Sequence, residues 1–287
     1  MGRLTGKNAL VTGGGTGIGF GITEVFLREG ASVTIAARRE DVLAEAVDKL
    51  VAGGIDSSRI QSIACDVTNE EQVSAAVTKA ARGENLDVLV NNAGSGMPGV
   101  LMNLDADGWR FCTEVNIVGP ALCMKHAALH MKDEAKGKVG GSIINISSVS
   151  ATKYQPWLIA YNTTKAGLDM MTKSAAIELA QHKIRVNAVS PGFVKVNEHM
   201  QNVEEAYAHI TPARRHGRPS DIAEGVLFFA DDASEWVTGQ VLGVDGGVSV
   251  PLMVSMGPTA KMLYGDEAIT EFGVEDYRSV PDAKRND

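Results

Sequence analysis

Apolar, β-branched runs alternate with segments of helical periodicity along most of the chain. Helix-like segments such as Ile18–Glu29 and Asp41–Val51 separate the strand-like runs, which are Asn8–Thr12, Ser32–Ala37, Ile60–Cys65, Asp87–Asn91, Ser142–Ser147, Arg185–Ser190 and Val241–Asp245. Parallel strands need helical crossovers, and strands that are buried on both faces are apolar along their whole length. The alternation therefore predicts an α/β fold with a doubly wound parallel sheet of about seven strands and helices on both faces.

The chain of 287 residues divides near residue 250. Longer helices are expected at Asp105–Glu134 and Pro156–His182, and the last strand-like run is followed at once by Gly246 and Gly247. Roughly 250 residues is a common length for one α/β domain, so residues 1–250 are predicted to form a single domain. Residues 251–287 mix Gly, Pro, Met and charged residues, which predicts an extension that is partly disordered or packs on a neighbouring subunit.

Composition restricts the partners that we expect. A net charge of −8 makes nucleic acid an unexpected partner, and no apolar run approaches the roughly 18 residues of a membrane span. The three cysteines, Cys65, Cys112 and Cys123, are scattered and odd in number, which indicates free thiols in a reducing, cytoplasmic setting. His126 and His130 have the spacing of metal ligands but lack a third ligand, so no metal site is predicted.

A glycine-rich loop follows the first strand-like run and opens the first helix. It reads Thr12-Gly13-Gly14-Gly15-Thr16-Gly17-Ile18-Gly19. Glycines permit a sharp turn and a close approach to a pyrophosphate, and a helix N-terminus offers unpaired N–H groups. A glycine-rich turn without a ligand is the alternative, but the order of strand, loop and helix favours a dinucleotide site.

The end of the second strand indicates which dinucleotide is bound. NAD sites usually place an acid there for the ribose 2′-hydroxyl, whereas this chain has Ala36-Ala37-Arg38-Arg39. Because a guanidinium pairs well with a 2′-phosphate, NADP is predicted. The alternative is that both arginines pair with Glu40 or Asp41. Asp66, after the third strand, is a candidate acceptor for the adenine amino group, a helix N-cap, or both.

Tyr161 and Lys165 are spaced four residues apart, so their side chains share one helix face. Ser148 follows the preceding strand, where its hydroxyl is placed to hydrogen-bond a substrate oxygen. An ammonium and an oxidised nicotinamide are expected to lower the pKa of Tyr161, which would serve as acid and base between a ketone and an alcohol. Asn116 is either the holder of a proton-relaying water near Lys165 or a satisfied core amide.

From about Lys7 to Gly247 the chain resembles the single-domain short-chain dehydrogenases/reductases. The resemblance is carried by the T-G-x-x-x-G-x-G loop at Thr12–Gly19, the Y-x-x-x-K pair, Asn91-Asn92-Ala93-Gly94 and Pro191-Gly192. It implies a Rossmann-type sheet, an oxidoreductase activity and a catalytic tetrad of Asn116, Ser148, Tyr161 and Lys165. Lys165 would also bind the nicotinamide ribose.

The loop, the strand ends and the resemblance together predict a cofactor site. Its expected residues are Gly13, Gly15, Thr16, Gly17, Ile18, Gly19, Arg38, Arg39, Asp66, Val67, Asn92, Ala93, Gly94, Tyr161, Lys165, Pro191, Gly192 and Val194. Two positions depart from the family. Val196 stands where many members carry a Thr that contacts the carboxamide, and Thr16 stands where some NADP-preferring members carry Lys or Arg. NAD therefore stays open as the cofactor.

The expected substrate is a hydrophobic ketone or its secondary alcohol, with 3-oxoacyl and cyclic or aromatic compounds as candidates. The predicted pocket residues are Met97, Ser148, Ser150, Trp157, Tyr161 and Phe193, with Asn197–Thr211 as a mobile lid. The resemblance implies a homo-oligomer, dimeric or tetrameric, built on the two long helices. An NAD-dependent alcohol dehydrogenase of the same family and a catalytically silent nucleotide sensor of this fold are the alternatives.

Overall fold

A seven-stranded sheet lies at the centre of the computed structural model, which describes residues 2–133, 139–196, 207–208 and 210–250. The strands are β1 (Asn8–Thr12), β2 (Ser32–Ala37), β3 (Ile60–Ala64), β4 (Val88–Asn91), β5 (Gly141–Ile146), β6 (Ile184–Pro191) and β7 (Val241–Val244). Their order is β3-β2-β1-β4-β5-β6-β7, and every neighbouring pair is parallel. The predicted fold class is confirmed, and each strand boundary lies within one residue of its expected place.

Helices cover both faces of the sheet. They are α1 (Gly17–Arg28), α2 (Glu40–Ala52), α3 (Glu70–Ala80), α4 (Ala106–Thr113), α5 (Gly119–Met131), α6 (Ile159–Leu179) and α7 (Pro219–Ala230). Residues of α1, α2 and α7 pack in one apolar cluster, and residues of α3, α5 and α6 pack in another on the opposite face. Among the described residues, no helix combines the length and the apolar character that crossing a membrane requires.

The central strands are mostly apolar because they contribute to both clusters. In β1, Val11 packs with the first cluster and its neighbour Leu10 with the second. In β4, Val90 and Leu89 divide in the same way. Successive side chains of a strand point to opposite faces, so a sheet that is covered on both sides favours apolar residues at successive positions. Full burial of one such side chain stabilises the fold by about 1.5–3 kcal/mol.

The two long helices differ from the sequence prediction. The carboxylate of Asp105 caps α4 by accepting a hydrogen bond from the N–H of Gly108 at 2.9 Å, as the predicted start requires. A π-helical turn, Glu114–Val118, then separates α4 from α5. The apolar periodicity does not show this local change of winding, which often occurs at functional sites.

The second long helix begins later than predicted. It begins at Ile159 instead of Pro156, because Trp157 has a φ of 60° and lies in the left-handed region, where a helix cannot continue. The N–H of Gly99 donates to the Trp157 carbonyl oxygen at 2.7 Å, so contact with a distant loop accompanies this conformation. Most of the expected lid and the whole of the 251–287 extension lie outside the described residues.

Candidate active site

The carboxyl ends of the strands form one edge of the sheet, where the predicted site residues meet. The strand order reverses between β1 and β4, which makes this point the usual crevice for a ligand in such a sheet. A cavity of about 260 Å³ lies over the ends of β1, β2 and β3, and a cleft of about 790 Å³ lies over the ends of β5 and β6. Gly94 and Ser95 line both, so the two spaces form one groove.

The glycine loop turns tightly between β1 and α1. Gly17 has a φ of 52°, a conformation that residues with a Cβ rarely adopt. Gly19 approaches the start of the same loop so closely that a Cβ would lie 2.1 Å from the carbonyl oxygen of Gly13. The loop backbone can fold onto itself only with glycine at that position. Ile18, in the first turn of α1, lines the groove, and the N–H groups of a helix N-terminus are the groups that a pyrophosphate site uses.

Thr12 and Asn92 connect the glycine loop to β4. The Thr12 hydroxyl oxygen accepts hydrogen bonds from the N–H groups of Asn92 and Ala93, each at 3.0 Å. In return, the Asn92 amide donates to the carbonyl oxygens of Thr12 at 2.9 Å and Gly13 at 3.1 Å. These bonds fix the two loops that flank the crevice relative to each other. This role of Thr12 was not predicted from the sequence, although a polar residue that closes an apolar strand is a signal for one.

The smaller cavity has the features of an adenosine site. Arg38 and Arg39 are exposed at its wall, and neither forms an ion pair with a residue in the described part of the chain. The predicted pairing of these arginines with Glu40 or Asp41 is therefore absent there. Hydrogen bonds from Thr68 hold the pKa of Asp66 below its usual value, and Arg38 lowers it further. Asn69, not Asp66, caps α3 by accepting from the N–H of Gln72 at 3.0 Å.

Tyr161, Ser148 and Lys165 meet in the larger cleft. Ser148 follows β5, and its hydroxyl lies near the side chain of Tyr161, which stands in the first turn of α6. Lys165, one turn further, is buried, with its Nζ 5.6 Å from the centroid of the tyrosine ring. This Nζ donates to the carbonyl oxygen of Ile146 at 2.7 Å. The end of β5 therefore positions both the serine hydroxyl and the lysine ammonium.

Burial dominates the ionisation of the pair. It raises the pKa of Tyr161, which the Ser148 hydrogen bond lowers only in part. Burial also lowers the pKa of Lys165 to about 8, while the charge of Asp169 raises it. The lowering of the Tyr161 pKa that the sequence predicts needs a bound oxidised nicotinamide as well as Lys165, so it stays a prediction.

Asn116 is fully buried in the π-helical turn, and its amide makes three hydrogen bonds. Its oxygen accepts from the N–H of Ser95 at 3.0 Å, and its nitrogen donates to the Ser95 carbonyl oxygen at 2.8 Å and to the Thr164 hydroxyl at 3.0 Å. This matches the alternative of a satisfied core amide, which here secures the loop shared by both cavities. A role in a proton relay stays a prediction.

The predicted cofactor residues divide between the two parts of the groove. Those at the smaller cavity are Gly13, Gly15, Thr16, Arg38, Arg39, Asp66, Val67, Ala93 and Gly94. Those at the cleft are Ile18, Asn92, Gly94, Tyr161, Lys165, Pro191, Gly192 and Val194. Gly17 and Gly19 line neither space and instead shape the loop beneath them. A dinucleotide that spanned the groove would meet residues of both sets.

The cleft beyond Tyr161 has mostly apolar walls. Of the predicted substrate residues, Ser148, Ser150, Tyr161 and Phe193 line it, whereas Met97 and Trp157 do not. Trp157 is 69% exposed and has a left-handed backbone. Sequence reasoning missed Leu158 and Val248 as lining residues. The available signal for Val248 was its position directly after Gly246 and Gly247, which follow the last strand-like run.

Comparison with known proteins gives relatives over most of the chain. The family model described as enoyl-(acyl carrier protein) reductase matches residues 13–249. The 3-oxoacyl-[acyl-carrier-protein] reductase FabG of Thermotoga maritima is 36% identical, over 86% of this chain and 100% of the relative. Cis-4-hydroxycyclohexanecarboxylate dehydrogenase of Sinomonas cyclohexanicum is 39% identical, over 83% of this chain and 95% of the relative.

Solved structures agree with these relatives. A short-chain type dehydrogenase/reductase from Mycobacterium ulcerans has a TM-score of 0.79 at 32% identity and covers 93% of this chain and 98% of its own. The structure described as ElxO with NADP bound has a TM-score of 0.77 at 34% identity and covers 84% and 98%. Similarity in sequence and fold to this extent places the chain in the short-chain dehydrogenase/reductase family.

Proposed function

We propose that the protein is an NADP(H)-dependent oxidoreductase that interconverts a hydrophobic ketone and its secondary alcohol. The observation that carries the proposal is the continuity of the groove. It begins at the glycine loop and Arg38 and ends at Ser148 and Tyr161. Residues that can hold a pyrophosphate and residues that can move a proton therefore lie along one surface.

A nicotinamide bound in this groove would supply or accept the hydride, and the side chains of the protein handle the proton. In the reduction, Tyr161 Oη gives its proton to the carbonyl oxygen, which becomes the hydroxyl of the product. In the oxidation, the same atom takes that proton back. The Ser148 hydroxyl hydrogen-bonds the reacting oxygen and stabilises its developing charge. Lys165 contributes positive charge behind the tyrosine ring.

The ionisation of Tyr161 supports the reductive direction at neutral pH. Reduction needs the protonated phenol, and burial raises the pKa of this group, so that form predominates. Oxidation needs the phenolate. Lowering the pKa of an ordinary tyrosine to about 7 requires about 4 kcal/mol of stabilisation of the phenolate relative to the phenol. An oxidised nicotinamide and the Lys165 ammonium are the positive charges that would supply it.

The preference for NADP rests on the two arginines. Arg38 and Arg39 line the smaller cavity without ion-pair partners among the described residues, so both guanidinium groups are free to meet a 2′-phosphate. A charge-assisted hydrogen bond of this kind contributes about 1.5–3 kcal/mol. The structure described as ElxO with NADP bound, which is 34% identical to this chain, supports the same choice.

The class of substrate follows from the cleft walls. Leu158, Phe193, Tyr207 and Ile210 line the cleft beyond the catalytic tyrosine, and the rings of Phe193 and Tyr207 stack with centroids 4.1 Å apart. Such walls suit an apolar ketone. The names of two relatives, a 3-oxoacyl reductase and a cyclohexanecarboxylate dehydrogenase, make acyl and cyclic ketones the first candidates.

The exposed face of α6 supports a homo-oligomer as part of the proposal. Met170 is 62% exposed and Ile177 is 80% exposed, and their spacing places both on one side of the helix. A second copy of this chain is the partner that we propose for this face. A cytoplasmic location also stays a prediction.

The proposal is tested by titrating the purified protein with NADPH and NADH, followed by cofactor fluorescence, and then adding a panel of acyl and cyclic ketones. We expect tighter binding of NADPH and its oxidation by some of the ketones. Tyr161→Phe should bind NADPH as the wild type does, with turnover reduced about 100-fold or more, because only the proton donor is lost.

Each other outcome has a defined meaning. Tight NADPH binding without turnover on a broad panel would favour the silent sensor, and tighter NADH binding would favour the NAD-dependent alternative. Near-normal turnover of the Tyr161→Phe variant would rule out the acid and base role of this side chain.

A further inference from the structure

Lys153 lines the larger cleft, and the proposed mechanism gives this lysine no task. It lies in the loop between β5 and α6, and its side chain is exposed. The ammonium has no ion-pair or hydrogen-bond partner in the described part of the chain. A single positive charge is therefore free at the wall of the cleft.

Every charged side chain on the described walls of the cleft is a lysine. Lys165 is buried and donates to the carbonyl oxygen of Ile146, so the catalytic centre already uses its charge. Lys153 adds a second positive charge, and no Asp or Glu among the described residues lines the cleft. The whole chain has the opposite balance, with 35 acidic and 27 basic residues. Walls of one sign of charge raise the local concentration of ligands of the opposite sign, so this cleft favours an anion.

Hydrogen bonds fix the loop that carries Lys153. The Lys153 backbone N–H donates to the carbonyl oxygen of Val149 at 2.9 Å. Two residues later, the carbonyl oxygen of Gln155 accepts from the side-chain amide of Asn162, near the start of α6, at 2.9 Å. The side-chain oxygen of Gln155 accepts from the hydroxyl of Ser150, a buried residue, at 2.7 Å. The loop is thus held on both sides, which limits the positions that Lys153 and Gln155 can reach.

Gln155 is the second donor on this wall. It lines the cleft, and its amide nitrogen has no hydrogen-bond partner among the described residues. Because the Ser150 hydroxyl occupies the amide oxygen, the nitrogen with its two hydrogens is the part that is left for a ligand. An ammonium and an amide nitrogen donate hydrogen bonds, and an ionised carboxylate only accepts them. Lys153 and Gln155 therefore match a carboxylate.

We propose that the substrate is an oxo acid, a ketone that carries a carboxylate on an apolar body, and that Lys153 and Gln155 bind the carboxylate. The ketone carbonyl would then lie at Ser148 and Tyr161, and the apolar walls of the same cleft would enclose the body between the two groups. This inference rests on the proposed function and narrows its substrate class. Lys153 determines specificity in this proposal and takes no part in the proton transfer.

The number of charges favours a carboxylate over a phosphate group. Lys153 is the one lysine of the described cleft walls whose charge is free. A phosphate monoester carries about −1.5 to −2 charge at pH 7, so one ammonium would leave part of that charge unpaired between mostly apolar walls. A carboxylate carries a single negative charge, which one ammonium neutralises.

The test compares the binding of oxo acids and their neutral methyl esters by isothermal titration calorimetry. Saturating NADP⁺, which cannot reduce a ketone, is present throughout. The probes are 4-oxocyclohexanecarboxylate and 5-oxohexanoate, so that a ring and an open chain place the carboxylate differently. We expect at least one acid to bind about 10-fold tighter than its ester, the effect of one hydrogen bond to a charged group. Equal affinity of each acid and its ester, or no binding of either acid, overturns the proposal.

Variants at one position assign the preference to a side chain. Lys153→Met should reduce the preference for the acid by about 10-fold and leave the affinity for the ester unchanged. Lys153→Arg retains the positive charge and should retain most of the preference. Lys132→Met is the matched control, because it removes an exposed lysine directly after α5, and it should behave as the wild type. Thermal unfolding shows whether each variant is folded. A preference that persists in Lys153→Met overturns the role of this lysine.

Turnover with NADPH separates this proposal from the proposed function. Acid-selective binding without reduction of any probe keeps the carboxylate site and rejects the oxidoreductase. Reduction of acids and esters with equal kcat/KM keeps the oxidoreductase and rejects the role of Lys153. The affinity for NADPH should be the same in wild type and Lys153→Met, and a loss of that affinity would assign the lysine to the cofactor and overturn the proposal.

Discussion

At the scale of single residues, cofactor choice depends on the first arginine after β2. Arg38→Asp should weaken NADPH binding by about 10- to 150-fold, because one charge-assisted contact is lost and a carboxylate faces the phosphate. NADH binding should be unchanged or tighter. Fluorescence titration with both cofactors measures the ratio. Arg28→Asp makes the same charge change at the far end of α1, where Arg28 pairs with Glu24, and should leave the ratio as it is.

A second prediction at this scale concerns the close approach inside the glycine loop. Gly19→Ala should lower the free energy of unfolding by about 1–3 kcal/mol, because the new methyl would overlap the Gly13 carbonyl oxygen and the Asn92 amide. Gly15→Ala is the comparison, since the nearest atom to its Cβ would be 3.5 Å away. Urea unfolding of both variants decides the point, and equal stability would refute the steric argument.

At the scale of elements, a buried polar chain connects β4, β5 and α6. The Asn91 amide donates to the Asn145 amide oxygen at 2.8 Å, and the Asn145 amide nitrogen donates to the Thr172 hydroxyl at 2.9 Å. Asn145 and Thr172 are fully buried. Because Asn145 directly precedes Ile146, these hydrogen bonds also help to position the Ile146 carbonyl group, which accepts a hydrogen bond from Lys165.

Thr172→Val should therefore destabilise the fold by about 1–3 kcal/mol, because it removes the hydrogen-bonding hydroxyl while the buried Asn145 amide remains. Thr163→Val is the matched control. Thr163 is exposed on the same helix, and its hydroxyl donates to the carbonyl oxygen four residues earlier, as that of Thr172 does. The control should stay within about 0.5 kcal/mol of wild type in urea unfolding. Similar losses in both variants would contradict the role of the buried chain.

The elements also show how far the sequence predicts the fold and the site. Apolar, β-branched runs identified the strands, and the signal is strongest in the central strands, which are buried on both faces. The π-helical turn at Glu114–Val118 and the left-handed Trp157 were missed, because each goes with contacts to loops distant in sequence. Tyr161 and Lys165 were identified from their spacing in the sequence. The contact of Lys165 with Ile146 and the effect of Asp169 on the pKa of Lys165 became visible only in the structure.

At the scale of the whole molecule, assembly is the property to test. If a second copy covers the exposed face of α6, sedimentation should give a mass that is a multiple of one chain. Replacing Met170 and Ile177 with lysine should reduce that mass toward one chain, because like charges would then face each other across the interface. Thermal unfolding at matched concentration shows whether the separated chains remain folded. A multiple-chain mass that survives the substitutions would exclude this face.

The groove also has a consequence for the history of such proteins. In the proposed function, Arg38 and Asp66, after β2 and β3, would bind the adenosine part of the cofactor, while Ser148 and Tyr161, on the other side of the switch point, would serve the reaction. Among the described residues, Arg38 and Asp66 line only the smaller cavity, and Ser148 and Tyr161 line only the larger cleft. The preference for one coenzyme and the specificity for one substrate can therefore change independently in evolution, because substitutions at one end of the groove leave the other end unchanged.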